Sequence, residues 1–246
     1  MATDLDWDGR NSRVYFSAEP AFTRSGGLFC EVPFGLIERG DPTGLDYMGL
    51  TDEWPSLGFA GVSDGKTSLA VIKSGLPATK LTDGVIRISL LRSVTSDNPT
   101  YAGTNDPGRH CAAFALSSWS GDFASGDPAK RAKVFNTRGL TYELGHAGAD
   151  TARSQGSPDV KDPAAFVGKL SASLPDDLIL SAFKLSCDGK NTVVRIYESS
   201  GKAADLDAPE GVRLVRCDSL ERPINEAEET HYPFRPFEIA TFRIVI

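Results

Sequence analysis

Short apolar segments, each ended by Gly, Pro, Asp or Asn, recur about every ten residues along this chain, a rhythm of strands and turns rather than helices. Residues 85–92 show it well. Thr82-Asp83-Gly84 is turn chemistry. After it Ile86, Ile88 and Leu90 fall on one face of an extended segment, with Arg87 and Ser89 on the other. Residues 111–117 read as another strand, with Phe114 and Leu116 on one side. Residues 179–186 and 192–198 flank Cys187-Asp188-Gly189-Lys190-Asn191, which predicts a hairpin. Residues 211–217 form a further strand, and 237–246, apolar on both faces, a central one. Asp162-Pro163 begins the one clear helical signal, good for a turn or two. Residues 221–236, acidic and Pro-containing, predict a long surface loop.

The fold class is therefore all-β, in two parts. The 246 residues suffice for that. Polar, turn-rich pieces between Asp150 and Pro175 mark the boundary. We assign residues 1–165 to a larger β domain and 170–246 to a smaller β-sandwich.

A formal net charge of −7 argues against nucleic acid and anionic membranes as partners. A neutral sugar is compatible with it. The four cysteines, Cys30, Cys111, Cys187 and Cys217, are 81, 76 and 30 residues apart, which matches no close metal pair. Free thiols, no signal-like segment at Met1-Ala2-Thr3-Asp4 and no long apolar run fit a cytoplasmic protein.

Catalytic spacing is absent. His110, His146 and His231 are the only histidines, and none has a partner at helical spacing for zinc. There is no Gly-x-Ser-x-Gly elbow. Gly61-Val62-Ser63-Asp64-Gly65-Lys66-Thr67 imitates the tail of a phosphate loop but reads as a β-turn. We expect no metal and no catalytic residue in this chain. The segment 97–110 differs: turn residues, charges and a histidine lie between two strands, where binding groups often sit. Arg92, Asp97, Asp106, Arg109 and His110 are the candidates there, forming either a binding cluster or a loop held by its own ion pairs. Trp7, Trp54 and Trp119 are core residues or sugar platforms.

One set of motifs goes further. Glu31-Val32-Pro33-Phe34-Gly35-Leu36-Ile37-Glu38-Arg39 is followed, in order, by Glu53-Trp54-Pro55, Gly58-Phe59-Ala60-Gly61-Val62-Ser63-Asp64-Gly65, Ser68-Leu69-Ala70-Val71-Ile72 and Leu90-Leu91-Arg92-Ser93. Then come Asp106-Pro107-Gly108-Arg109-His110, Phe135-Asn136 and Ala182-Phe183-Lys184. Val194-Arg195-Ile196-Tyr197-Glu198-Ser199-Ser200-Gly201, Leu220-Glu221 and Pro236-Phe237-Glu238-Ile239-Ala240-Thr241-Phe242 close the series. The order resembles the non-catalytic C-terminal β-region of the α-mannosidases of glycoside hydrolase family 38.

That resemblance implies a supersandwich like that of galactose mutarotase, followed by a small β-sandwich. It implies that these domains sit behind a catalytic barrel and lend residues to the rim of its sugar site. Arg92, Asp97, Asp106, Arg109 and His110 become the substrate-rim candidates, and Glu38 and Arg39 an ion-paired turn at a domain interface. The zinc ion, the nucleophile and hydrolysis of terminal α-mannosides belong to the barrel, which this sequence lacks. The expected partners are that barrel, in the same polypeptide or a split one, and a mannose-containing saccharide. Self-association through the face left uncovered is a further expectation. Two rival readings remain: a free-standing carbohydrate-binding module, and a mutarotase-like enzyme using His110 and Glu38.

Overall fold

The structure, a computed structural model, describes residues 1–9, 13–40, 53–92, 107–137 and 163–246. The chain divides into two units, Met1–Arg138 and Gly139–Ile246. It is all-β, with two α-helices among the described residues.

The first unit has two antiparallel sheets. Its strands are β1 (Ala2–Trp7), β2 (Arg13–Ala18), β3 (Leu28–Val32), β4 (Gly35–Arg39), β5 (Trp54–Pro55), β6 (Phe59–Ser63), β7 (Thr67–Lys73), β8 (Ala78–Thr82), β9 (Val85–Arg92) and β10 (Gly108–Ser120). Six strands run in the order β1-β10-β7-β6-β3-β4, and four in the order β2-β9-β8-β5. Ile86 and Ile88 of β9 share one core with Cys30, Ala60, Val62, Val71 and Phe114 of the larger sheet, so the sheets close on each other face to face.

The larger sheet is covered on its second face as well. All five residues of β6 are buried. Phe123 stacks on Phe29 with ring centroids 4.5 Å apart, and helix α1 (Pro128–Asn136) buries Ala129 and Ala132. Helix α1 is absent from the sequence-based expectation. Its one signal, Pro128 at the first helical position, is preceded by an aspartate in the left-handed region, Asp127 at φ 49°.

The second unit has a four-stranded sheet, β11-β12-β16-β14, and a two-stranded one, β13-β15. Its strands are β11 (Leu178–Leu185), β12 (Thr192–Glu198), β13 (Ala204–Asp207), β14 (Arg213–Cys217), β15 (His231–Phe234) and β16 (Ile239–Val245). Val194, Ile196, Leu206, Leu214, Phe234, Phe242 and Ile244 fill the core. Helix α2 (Pro163–Ser173) adds Leu170 to it. The helix therefore belongs wholly to the second unit, which begins before residue 170.

Several local expectations are met. Asp83 and Gly84, at φ 53° and 79°, make the two-residue turn between β8 and β9 with both central residues in the left-handed region. Asp64 accepts the backbone N–H of Lys66 at 2.8 Å and of Thr67 at 2.6 Å, so the phosphate-loop look-alike is a turn. β16 is central, between β12 and β14. One expectation fails. The loop predicted over 221–236 contains β15, which pairs with residues 204–207 of β13. Its alternation is too short to read without the partner strand.

Candidate functional site

The described substrate-rim candidates stand on two different sheets. Arg92 ends β9 in the four-stranded sheet, opposite Arg13 of β2. Arg109 and His110 lie on β10 in the six-stranded sheet, not in the loop before it, opposite Asp6 and Leu5 of β1. Successive residues point to opposite faces, which separates these two side chains. The Arg109 guanidinium grips Asp4, with Nε 2.8 Å from Oδ1, and this pair is largely exposed. The Arg109 contact holds the Asp4 carboxyl below the usual range. Asp4 was not singled out in the sequence. Asp97 and Asp106 lie outside the described residues.

Glu38 and Arg39 also differ from expectation. They stand on strand β4, at an edge of the six-stranded sheet, not in a turn. The Glu38 carboxylate accepts the backbone N–H of Gly27 at 2.6 Å. Arg39 lies over the Trp54 ring at 4.9 Å, with its Nε buried and unbonded. Trp54 thus has a ring face occupied by a cation, and so has Trp119, beneath Arg131 at 5.6 Å. Neither offers that face to a sugar.

The separate motifs instead meet around Lys73. This residue is fully buried at the end of β7. Its ammonium donates to the carbonyls of Ser56 at 2.7 Å and Leu57 at 2.8 Å, and to that of Leu76. Burial pushes it down to about 8, while the neighbouring Cys30 and Glu31 favour the charge. Burial also pushes the Cys30 thiol up to about 11. Glu31, raised mainly by burial, takes the Gly58 N–H, and its own carbonyl takes that of Leu57 at 3.0 Å. Asn136, from the end of α1, donates to the Lys73 carbonyl at 3.1 Å. Segments 31–39, 53–65, 68–72 and 135–136, which carry the resemblance separately, are stitched together here. A shallow recess of about 370 Å³ opens beside them, walled partly by Leu57, Leu76 and Pro77.

A second knot lies in the other unit. Glu198, fully buried, accepts the N–H of Ser200 at 2.6 Å, Gly201 at 2.9 Å and Phe237 at 2.8 Å, plus the Ser200 hydroxyl. It ties the 194–201 and 236–242 motifs together.

These knots hold backbone. Lys73 spends its donors on carbonyls and Glu198 its acceptors on amides. Neither presents a nucleophile beside a base. Among the described residues no three of His, Cys, Asp and Glu stand together so as to hold a metal.

Residues 177–242 match the glycosyl hydrolases family 38 C-terminal beta sandwich domain. α-Mannosidase G of Dictyostelium discoideum is 24% identical over 226 residues, covering 87% of this chain and 19% of its own length. The crystal structure of an α-mannosidase from Enterococcus faecalis V583 superposes on 98% of this chain with a TM-score of 0.70, at 17% identity and over 27% of its own length. A glycosyl hydrolase family 38 protein from Enterococcus faecalis gives a TM-score of 0.69 at 16% identity, also over 27% of its length. The fold is thus that of the all-β part of much longer glycoside hydrolases. The matches support a C-terminal region of glycosyl hydrolase family 38, with residues 177–242 corresponding to that family's C-terminal β-sandwich domain. The chain spans about a fifth to a quarter of the length of the relatives it matches.

Proposed function

We propose that this chain serves an α-mannosidase as its C-terminal β-region, supporting a separate catalytic portion and breaking no glycosidic bond by itself. The observation that carries the reading is coverage: nearly all of this chain corresponds to about a quarter of an α-mannosidase. Three glutamates of its motifs, Glu31, Glu38 and Glu198, also accept backbone N–H groups. Hydrolysis of terminal α-mannosides, with its zinc and nucleophile, is assigned to the catalytic portion. The described residues include no donor set that fits the metal. Arg92, Arg109 and His110 stand at the strand ends from which a rim could reach a mannose-containing saccharide. Free cysteines, two of them exposed, favour a reducing compartment, the cytoplasm.

The test is an assay of the isolated chain with added zinc and 4-nitrophenyl α-D-mannopyranoside. No hydrolysis above buffer is expected, and turnover that tracks the purified chain would refute the reading.

Phe34 supports contact with another body. It sits at the tip of the β3–β4 hairpin at φ 61°, a strained region for a bulky side chain, and it is 42% exposed. Glycine would adopt this turn freely. Phe34→Gly is expected to stabilise the isolated chain by about 0.5–1 kcal/mol in urea unfolding. It should at the same time weaken binding to the catalytic portion supplied in trans. Unchanged binding would remove the hairpin tip from the interface.

A further inference from the structure

The second unit carries a recess of about 230 Å³ beside the β11–β12 turn, distant in sequence from the rim candidates. Asp188 and Asn191 of the turn, Arg243 of β16, and Leu220 to Pro223 line it. Its walls are held before any ligand arrives. Glu221 sits at φ 67°, an uncommon conformation for a side chain of this kind. Its nearly buried carboxylate pairs with Lys184 at 2.5 Å and accepts the Cys187 N–H at 2.8 Å, clamping the 220–223 loop to the hairpin. Lys184 holds the Glu221 carboxyl below the usual range, and the Ser186 hydroxyl does the same for Asp188. Such a preformed recess spares a ligand the cost of ordering it.

The lining is charge-balanced. Arg222 and Arg243 face Asp188 and Glu221. An anion would meet two carboxylates and a cation two guanidinium groups, so neither gains net attraction. Arg222 is engaged by Asp218 at 2.8 Å and Arg243 by Glu226 at 3.1 Å. The Asn191 side-chain amide, by contrast, makes no hydrogen bond among the described residues. Asp188 uses Oδ1 toward Ser186 and Lys190, and a carboxylate has further lone pairs to offer. Leu220, 65% exposed, and Pro223 add an apolar wall. An amide and a carboxylate beside a small apolar wall suit a ring with hydroxyls around its edge and C–H bonds on one face.

We infer that this recess is a binding subsite for a single neutral pyranose unit. The recess stands on its own geometry, and the proposed mannosidase role supplies only the choice of probe. The experiment is a 1H–15N TROSY titration of the full 246-residue chain with methyl α-D-mannopyranoside, with sulfate and tetramethylammonium as separate titrants. Saturable shifts confined to amides of 186–191, 220–223 and 243, in the millimolar range, are expected. Asn191→Ala and Leu220→Asp should each weaken binding by about fivefold or more, with the rest of the spectrum unchanged. Absent saturation, shifts located elsewhere, stronger saturation by either ion, or unweakened binding by both variants would overturn the subsite. None of these failures bears on the hydrolysis assay, which tests the mannosidase role separately.

Discussion

Lys73→Met should lower the free energy of unfolding by about 3–5 kcal/mol, read as a reduced urea midpoint at unchanged slope. Methionine nearly matches the lysine stem in volume, so packing loss is minor. The effect comes from what is left behind. The carbonyls of Ser56, Leu57 and Leu76 converge on one ammonium and lose it together. Each buried acceptor without a donor costs about 1–3 kcal/mol, and water entering the shallow recess can recover part. A loss under about 1 kcal/mol would mean that the loops hold themselves. The pH dependence has a definite sign. Lys73 titrates near 8 when folded, against an ordinary value of 10.5. Between these limits the unfolded chain binds the proton more tightly, so the contribution of Lys73 to stability grows as pH rises from about 8 toward 10.5. It is smallest below 8. Wild type should therefore gain on Lys73→Met across that window.

Gly61→Ala should cost about 2–3 kcal/mol by the same measurement, a large effect for one methyl group. A Cβ at residue 61 would lie 2.3 Å from the Leu69 carbonyl oxygen and 2.4 Å from the Phe123 ring. The first is backbone of the paired strand and cannot move aside. The second is locked between Phe29, Phe59 and Trp119. Combining Gly61→Ala with Phe123→Ala should cost less than the two changes summed, because one opens space that the other fills. Full additivity would show that the ring is not what excludes a side chain at residue 61.

The two cores were legible where a segment carries its own periodicity. Ile86 and Ile88 alternate with Arg87, and the Asp83-Gly84 turn fixes the register, so β9 could be read alone. β6 could not be read that way. It is buried on both faces because α1 and Phe123 cover a sheet that two-fold alternation would leave open. Helix α1 itself starts from a left-handed aspartate, which no helix signal includes. β15 exists because β13 pairs with it. The candidate site was harder still. Glu38-Arg39 looks like an ion pair in sequence, yet neighbours on a strand face opposite ways. Each reached a different partner, Gly27 and Trp54. Lys73 follows Ile72 at a strand end and carries no motif, and only the fold turns three carbonyls toward it. Asp4 met Arg109 across a pairing separated by 105 residues.

Four glutamates of this chain share one habit. Glu31, Glu38, Glu198 and Glu221 each receive main-chain N–H groups from a segment remote in sequence. A link of that kind reads one side chain and one peptide group, so substitution tolerance is lopsided. The acceptor must keep a carboxylate at the end of two methylenes. The donor is nameless, since any residue but proline supplies an N–H. At Cys187 the donor's identity is therefore free to drift while the link persists. Gly58 and Gly27 are exceptions, because a Cβ would come within 2.7 Å of the Glu31 oxygen at the first and 1.9 Å of the Arg39 carbonyl oxygen at the second. Relatives of this chain should then keep the glutamates, keep glycine at the two crowded donor positions, and differ at the donor position of residue 187.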